Sequence, residues 1–286
     1  MLGKLLKYEF MAEWKKYIII FGGMIFLALS MLILNKGFMS TDNYIVEAAF
    51  ELVMVAFVML CLFALFIIFV FSTIRFYKNM FRDEGYLMNT LPCTVGQHLA
   101  SKMISTYVWY AATAVVIVLS VSIAAGDFTW IAEVFRVFSE MDMMIKEEAM
   151  VMGPENAAEM EAIFGFFKSM FVYMIVTLVL MPVMYQIYLN FCIAVGSLFN
   201  THKILMAVIT FVAVNVISQV VSTVGMFILG YGNIVPILES DSMAEMDVVL
   251  GFMNNVYIFS GVVSVIFYGV MLWATHYIMS KKLNLA

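Results

Sequence analysis

Six apolar runs, each long enough to cross a bilayer as a helix, dominate this chain: 17–34, 52–74, 103–125, 164–199, 204–230 and 250–279. A helical span needs about 20 residues at about 1.5 Å rise each. Backbone N–H and C=O groups in lipid have no water to bond, so such runs must be helices or closed barrels. The length of these runs selects helices. The chain is 64% hydrophobic and 12% charged, about half the charge of a soluble domain. That leaves too little polar surface for a secreted, disordered or nucleic-acid-binding protein. The expected fold class is an all-α membrane protein, one transmembrane domain over 1–286: six transmembrane helices preceded by an amphipathic N-terminal interfacial helix.

The fourth run has 36 residues, about 54 Å as a straight helix against a hydrocarbon core of about 30 Å. It must tilt, project or break, and Pro182 is the natural place for a kink. An even number of spans puts both termini on one side. That side carries eleven Lys/Arg against four Asp/Glu, and the opposite side four against sixteen. The bias of basic residues toward the cytoplasm then places both termini inside. A lysine-bearing stretch precedes the first run and no small-residue cleavage site follows it, so the run is expected to remain as the first span. Cys61, Cys93 and Cys192 are too few and too scattered for a disulfide framework or a thiolate metal site.

Residues 1–16 set Leu2, Leu5, Leu6 and Phe10 near helical spacing among Lys4, Lys7, Lys15 and Lys16. This pattern suits an amphipathic helix lying on the cytoplasmic leaflet; a plain extension of the first span is the alternative. Residues 75–102 form the longest cytoplasmic segment, in which Gly85 and Leu91-Pro92 punctuate two short elements. On the other side, 127–161 is an acidic loop. There Ile131, Val134, Phe135, Phe138, Met141, Met144 and Ile145 recur as on one amphipathic helix.

Little in the spans carries chemistry. Their interiors are almost free of Asp, Glu, Lys and Arg, the groups that mark proton relays and ion-coupled pumps. Lys168 is near the outer end of run four, where it can snorkel; His276 is near the inner end of run six, and His98 and His202 fall in cytoplasmic loops. There is no H-E-x-x-H and no G-x-x-x-x-G-K-[ST], so no catalytic or metal-binding residue is assigned and any ATP must be hydrolysed elsewhere. The spans do carry neutral polar residues one turn apart. Gln186 and Asn190 share a face of run four; Asn215 and Gln219, with Ser222 nearby, share one of run five. They are candidates for lining a translocation path, or for interhelical hydrogen bonds. The 27 methionines and 26 phenylalanines suit adaptable contacts with apolar cargo, and equally core packing and lipid contact.

The segment YKNMFRDEGYLMNTLPCTVGQHLASK carries a stronger signal. It resembles the Y-x-x-x-x-x-x-E-G-Y-L-x-x-x-L-P pattern of bacterial type-2 ABC exporter permeases, followed by a lysine at the start of span three. The matching positions are Tyr77, Glu84, Gly85, Tyr86, Leu87, Leu91, Pro92 and Lys102. The topology covers the whole chain, the motif about 26 residues of it. The resemblance implies that this segment is a coupling helix docking on a separate ATPase subunit. Phe81, Tyr86 and Leu87 would enter the ATPase cleft, beside Leu91 and Pro92, while Arg82, Asp83 and Glu84 fix register. It also implies two ATPase copies binding ATP and Mg, no cofactor in this chain, a permease dimer (homo- or hetero-), and a bacterial plasma membrane. Members of the class export peptides, drugs, lipids or glycans. The apolar spans and acidic outer mouth favour amphipathic peptides, as in the permeases of phenol-soluble-modulin exporters. An ATP-independent channel or membrane scaffold is the competing class.

Overall fold

The computed structural model describes residues 2–40, 44–82, 93–133, 136, 140, 143, 154–199, 201–239 and 245–281. Among the described residues there are six long helices and no strand: α1 (Leu2–Ser40), α2 (Tyr44–Phe81), α3 (Val95–Ala125), α4 (Pro154–Gly196), α5 (Lys203–Glu239) and α6 (Glu245–Lys281). Each is long and apolar enough to cross a membrane, which gives the chain the character of a multi-pass membrane protein. Every apolar run falls on its own helix, except that 197–199 turn away after α4. The helices overshoot the runs at 31 to 43 residues, about 46 to 65 Å, so each extends well past a hydrocarbon core of about 30 Å.

Residues 1–16 are not set apart as an interfacial helix. From Leu2 onward α1 continues without a break through Lys16 into the first run. No Gly or Pro interrupts the join, and Leu5, Glu9, Glu13 and Tyr17, spaced four apart on one face, are all buried. That face carries packing across the boundary. The long fourth run does not break either, because α4 passes through Pro182 as one helix. Its first residue is Pro154, where a missing N–H removes no helical hydrogen bond.

The expected cytoplasmic segment 75–102 gives up both ends to helices. Residues 75–81 complete α2 and 95–102 open α3. Thr94 caps α3: its Oγ1 accepts from Gln97 N and its own N–H donates to Gln97 Oε1, both at 3.3 Å, a reciprocal capping box. Gly126 ends α3 with φ 72°, and its N–H donates to Ile123 O; only glycine adopts that conformation without strain.

Beyond Gly126, residues 129–133 are helical. The Asp127 carboxylate accepts from the Thr129 N–H at 2.8 Å and the Thr129 hydroxyl at 2.6 Å. These bonds, the hydroxyl's foremost, hold the Asp127 carboxyl below the usual carboxylate range. Arg136 Nε pairs with Glu140 one turn on, at 2.5 Å. Val134, Phe135, Phe138, Met141, Met144 and Ile145 of the expected outer helix lie outside the described residues.

The chain divides into two compact units, Met1–Phe135 and Arg136–Asn284. In the first, α1 packs on α2 and α3, and α2 on α3. Ala28, Met31, Phe57 and Ala124 form one of its buried clusters. With no aqueous driving force between helices in lipid, small residues such as Ala28 allow the close approach that dispersion requires. Further along, the Tyr17 ring stacks on Trp109 at 4.3 Å, and Phe10 meets the same indole edge-on.

In the second unit α4 packs on α5 and α6, and α5 on α6. Gly196 permits the α4–α5 contact: a Cβ there would lie 2.7 Å from the backbone of Ala207 and Lys203. Gly225 of α5 likewise receives the Phe259 ring of α6.

Candidate functional site

One carboxylate joins the three helices of the first unit. Glu9 of α1 takes Arg75 Nε of α2 at 2.6 Å and Lys102 Nζ of α3 at 2.9 Å. The Glu9 and Lys102 side chains are 5% and 3% exposed, and Arg75 is 22%. Glu13, one turn along α1, is also buried and lines the same small cavity with Ser72, Ser105 and Thr106. Glu13 thus adds a second carboxylate to a cavity whose two cations are both paired with Glu9. A neutral pair reinforces the join: Thr106 Oγ1 donates to Lys102 O at 2.9 Å and is hydrogen-bonded to Ser72 Oγ at 2.5 Å. His98 lies in the first turns of α3 rather than in a loop, buried, with neither ring nitrogen hydrogen-bonded to a described residue.

This cluster ties together the two ends of the expected coupling segment, since Arg75 is its first residue and Lys102 its last. Of the expected docking residues, Phe81 is buried and meets Phe76 edge-on at 5.7 Å, so it packs its own unit. Arg82 is exposed, its guanidinium 5.6 Å from the Tyr77 ring centroid. Asp83, Glu84, Gly85, Tyr86, Leu87, Leu91 and Pro92 lie outside the described residues.

The candidate path residues separate into two arrangements. Gln186 and Asn190 are buried and bonded to each other, Nε2 to Oδ1 at 2.9 Å, while Gln186 Oε1 and Asn190 Nδ2 find no described partner. Asn215 and Ser222 instead line a chamber of about 200 Å³ with Tyr185, Tyr188, Ser264 and Tyr268. Tyr188 Oη donates to Phe211 O at 2.7 Å, and Asn215 Nδ2 donates to the same carbonyl at 2.8 Å and to Tyr188 Oη. Gln219 does not share the chamber with Asn215; it is exposed on α5.

Beside the chamber, α4 and α6 flank an open apolar groove of about 910 Å³. Sequence reading found Asn215 and Ser222 of the chamber but neither the Glu9 cluster nor Tyr185, Tyr188, Ser264 and Tyr268. No family model, no curated protein and no solved structure matches the chain.

Proposed function

We propose that this chain is the permease subunit of an ATP-driven exporter of the type-2 ABC class, with both termini and the first turns of α1 at the cytoplasmic face of a bacterial plasma membrane. Two permeases, identical or different, would pair with two copies of a separate ATPase that binds ATP and Mg. The cargo would be amphipathic or hydrophobic, foremost a peptide such as a toxin or antimicrobial. The observation that carries this reading is the bridging of Arg75 and Lys102 by Glu9. A push delivered between residues 82 and 93 would then reach α1, α2 and α3 together, because the two flanking helices share one buried anion. The E-G-Y-L and L-P residues of that interval supply the docking chemistry, aromatic burial with charges setting register.

The test is purification of the tagged full chain from its native membrane in mild detergent, followed by identification of co-purifying proteins and ATPase assay. A stoichiometric P-loop ATPase, with stimulation lost in Glu84→Ala and Tyr86→Ala while the chain stays folded, is the expected result. Absence of any nucleotide-binding partner, or unaltered stimulation and export in both variants, overturns the reading in favour of an ATP-independent channel or scaffold.

A further inference from the structure

The groove and the chamber of the second unit are neighbours, and Ser264 lines both. The groove is walled by aliphatic side chains of α4 and α6, among them Val172, Val176, Leu180 and Val265. Its volume lies within the range of about 300–1,000 Å³ typical of small-molecule sites. Tyr173 and Tyr257, with ring centroids 5.0 Å apart, line it toward the N-terminal end of the span. Gly165 and Gly261 also line it, and a Cβ at either would meet nothing within 4 Å. The missing side chains therefore leave open space and are not compensated by packing.

The chamber has the opposite chemistry. Among the described residues that line it, none is charged. Tyr188 and Asn215 are already committed to the Phe211 carbonyl, which fixes one wall. The hydroxyls of Ser222, Ser264 and Tyr268 hydrogen-bond to no described residue, and the three residues line one space. Hydroxyls at membrane depth need partners.

From this pairing we infer that the second unit binds an amphiphile with an uncharged, hydroxyl-bearing head, of the monoacylglycerol or long-chain alcohol class. The tail lies in the α4–α6 groove and the head hydrogen-bonds to Ser222, Ser264 and Tyr268. The complementarity of charge selects this occupant. A carboxylate, phosphate or ammonium head in the chamber would find no counter-charge among the described lining residues, which is costly at membrane depth. Lys168, the one charged side chain among the described residues lining the groove, stands 16 residues before Met184 on α4, about 24 Å away along the helix. The site belongs to α4, α5 and α6 alone and does not depend on whether the chain transports anything.

The probe is a monoacylglycerol carrying a diazirine in its acyl chain, photolysed with the full chain in nanodiscs and mapped by mass spectrometry. Labelling is expected on peptides covering 169–184 and 254–268, displaced by unlabelled monooleoylglycerol at least tenfold more effectively than by oleate or an oleoyl quaternary ammonium. Gly261→Leu, whose Cβ would meet nothing within 4 Å, should cut this labelling at least tenfold by occupying the groove. Tyr268→Phe keeps the shape and removes one hydrogen bond, so it should weaken displacement by monooleoylglycerol about threefold to tenfold. Labelling spread evenly over all six helices, or equal displacement by the charged amphiphiles, overturns the inference without any variant. So does disulfide cross-linking between two copies through Gly261→Cys in unlabelled membranes, which would make a second chain the occupant.

Discussion

Glu9→Ala removes the shared anion of the first unit and leaves the Lys102 ammonium, 3% exposed, with no counter-charge from α1's ninth position. Breaking a buried ion pair by deleting one partner costs about 3–5 kcal/mol. Arg75 is less enclosed at 22% and can turn toward water, so Lys102 accounts for most of that cost. Lys102→Met should destabilise less, about 2–4 kcal/mol, because Glu9 keeps Arg75 as partner. The double variant removes both halves of the tighter bridge at once and should be milder than the sum by about 2 kcal/mol, within the range for residues in contact. Reversible unfolding of the purified chain by sodium dodecyl sulfate in dodecylmaltoside micelles measures all three. Tryptophan emission gives a local readout, since Trp109 stacks on Tyr17 two turns beyond Glu9. Lys4→Ala, at an exposed position on the same helix, serves as the control and should change stability by less than about 0.5 kcal/mol. Additivity of Glu9→Ala and Lys102→Met within about 0.5 kcal/mol would refute the bridge and the coupling argument built on it.

Gly126→Ala places a side chain at φ 72° with its Cβ 3.1 Å from Leu32 Cδ1, and the same titration should register a loss of about 1–2 kcal/mol. Thr94→Ala breaks the capping box of α3 and should cost about 1 kcal/mol, with faster hydrogen exchange at Gln97 as its local signature. Asn215→Leu should abolish transport while leaving the assembly intact if the chamber serves the path; loss of the folded protein would assign Asn215 to packing, and size-exclusion chromatography beside a transport assay separates the two. The lowered Asp127 carboxyl stabilises its turn above the ordinary carboxylate value near pH 4. That contribution is lost as pH falls through the depressed folded-state value, so the Thr129 amide should lose exchange protection there, and Asp127→Asn should remove the pH dependence.

Apolar length made the six helices legible, because a run of eighteen or more apolar residues has one stable backbone form in lipid. The limits of the helices were less so: polar turns at both ends continue the helix where headgroups and water serve the side chains. The Glu9 cluster escaped because its members are 66 and 93 positions apart, and each alone looks like a headgroup-facing charge. A signal was nevertheless present. Leu5, Glu9, Glu13 and Tyr17 recur at four-residue spacing, which puts two carboxylates on the buried stripe, while Lys4, Lys7, Lys15 and Lys16 fall on the exposed faces. Carboxylates on a packing face imply cations elsewhere in the chain. Among the path candidates, spacing paired Asn215 with Gln219, but the packing of α4 and α6 against α5 puts Asn215 on the chamber and Gln219 off it. Tyr188, Ser264 and Tyr268 were unreadable for the same reason, since which face of each helix meets its neighbours is decided by contacts that no single segment encodes.

The Glu9 bridge also orders events during synthesis. The carboxylate enters the membrane environment with the first helix, while Lys102 is added 93 residues later. Until α3 emerges, Glu9 has Arg75 as its partner and lacks Lys102. The bridge among the three helices therefore closes only when its last member arrives, and a chain halted after α2 leaves half of it unmade.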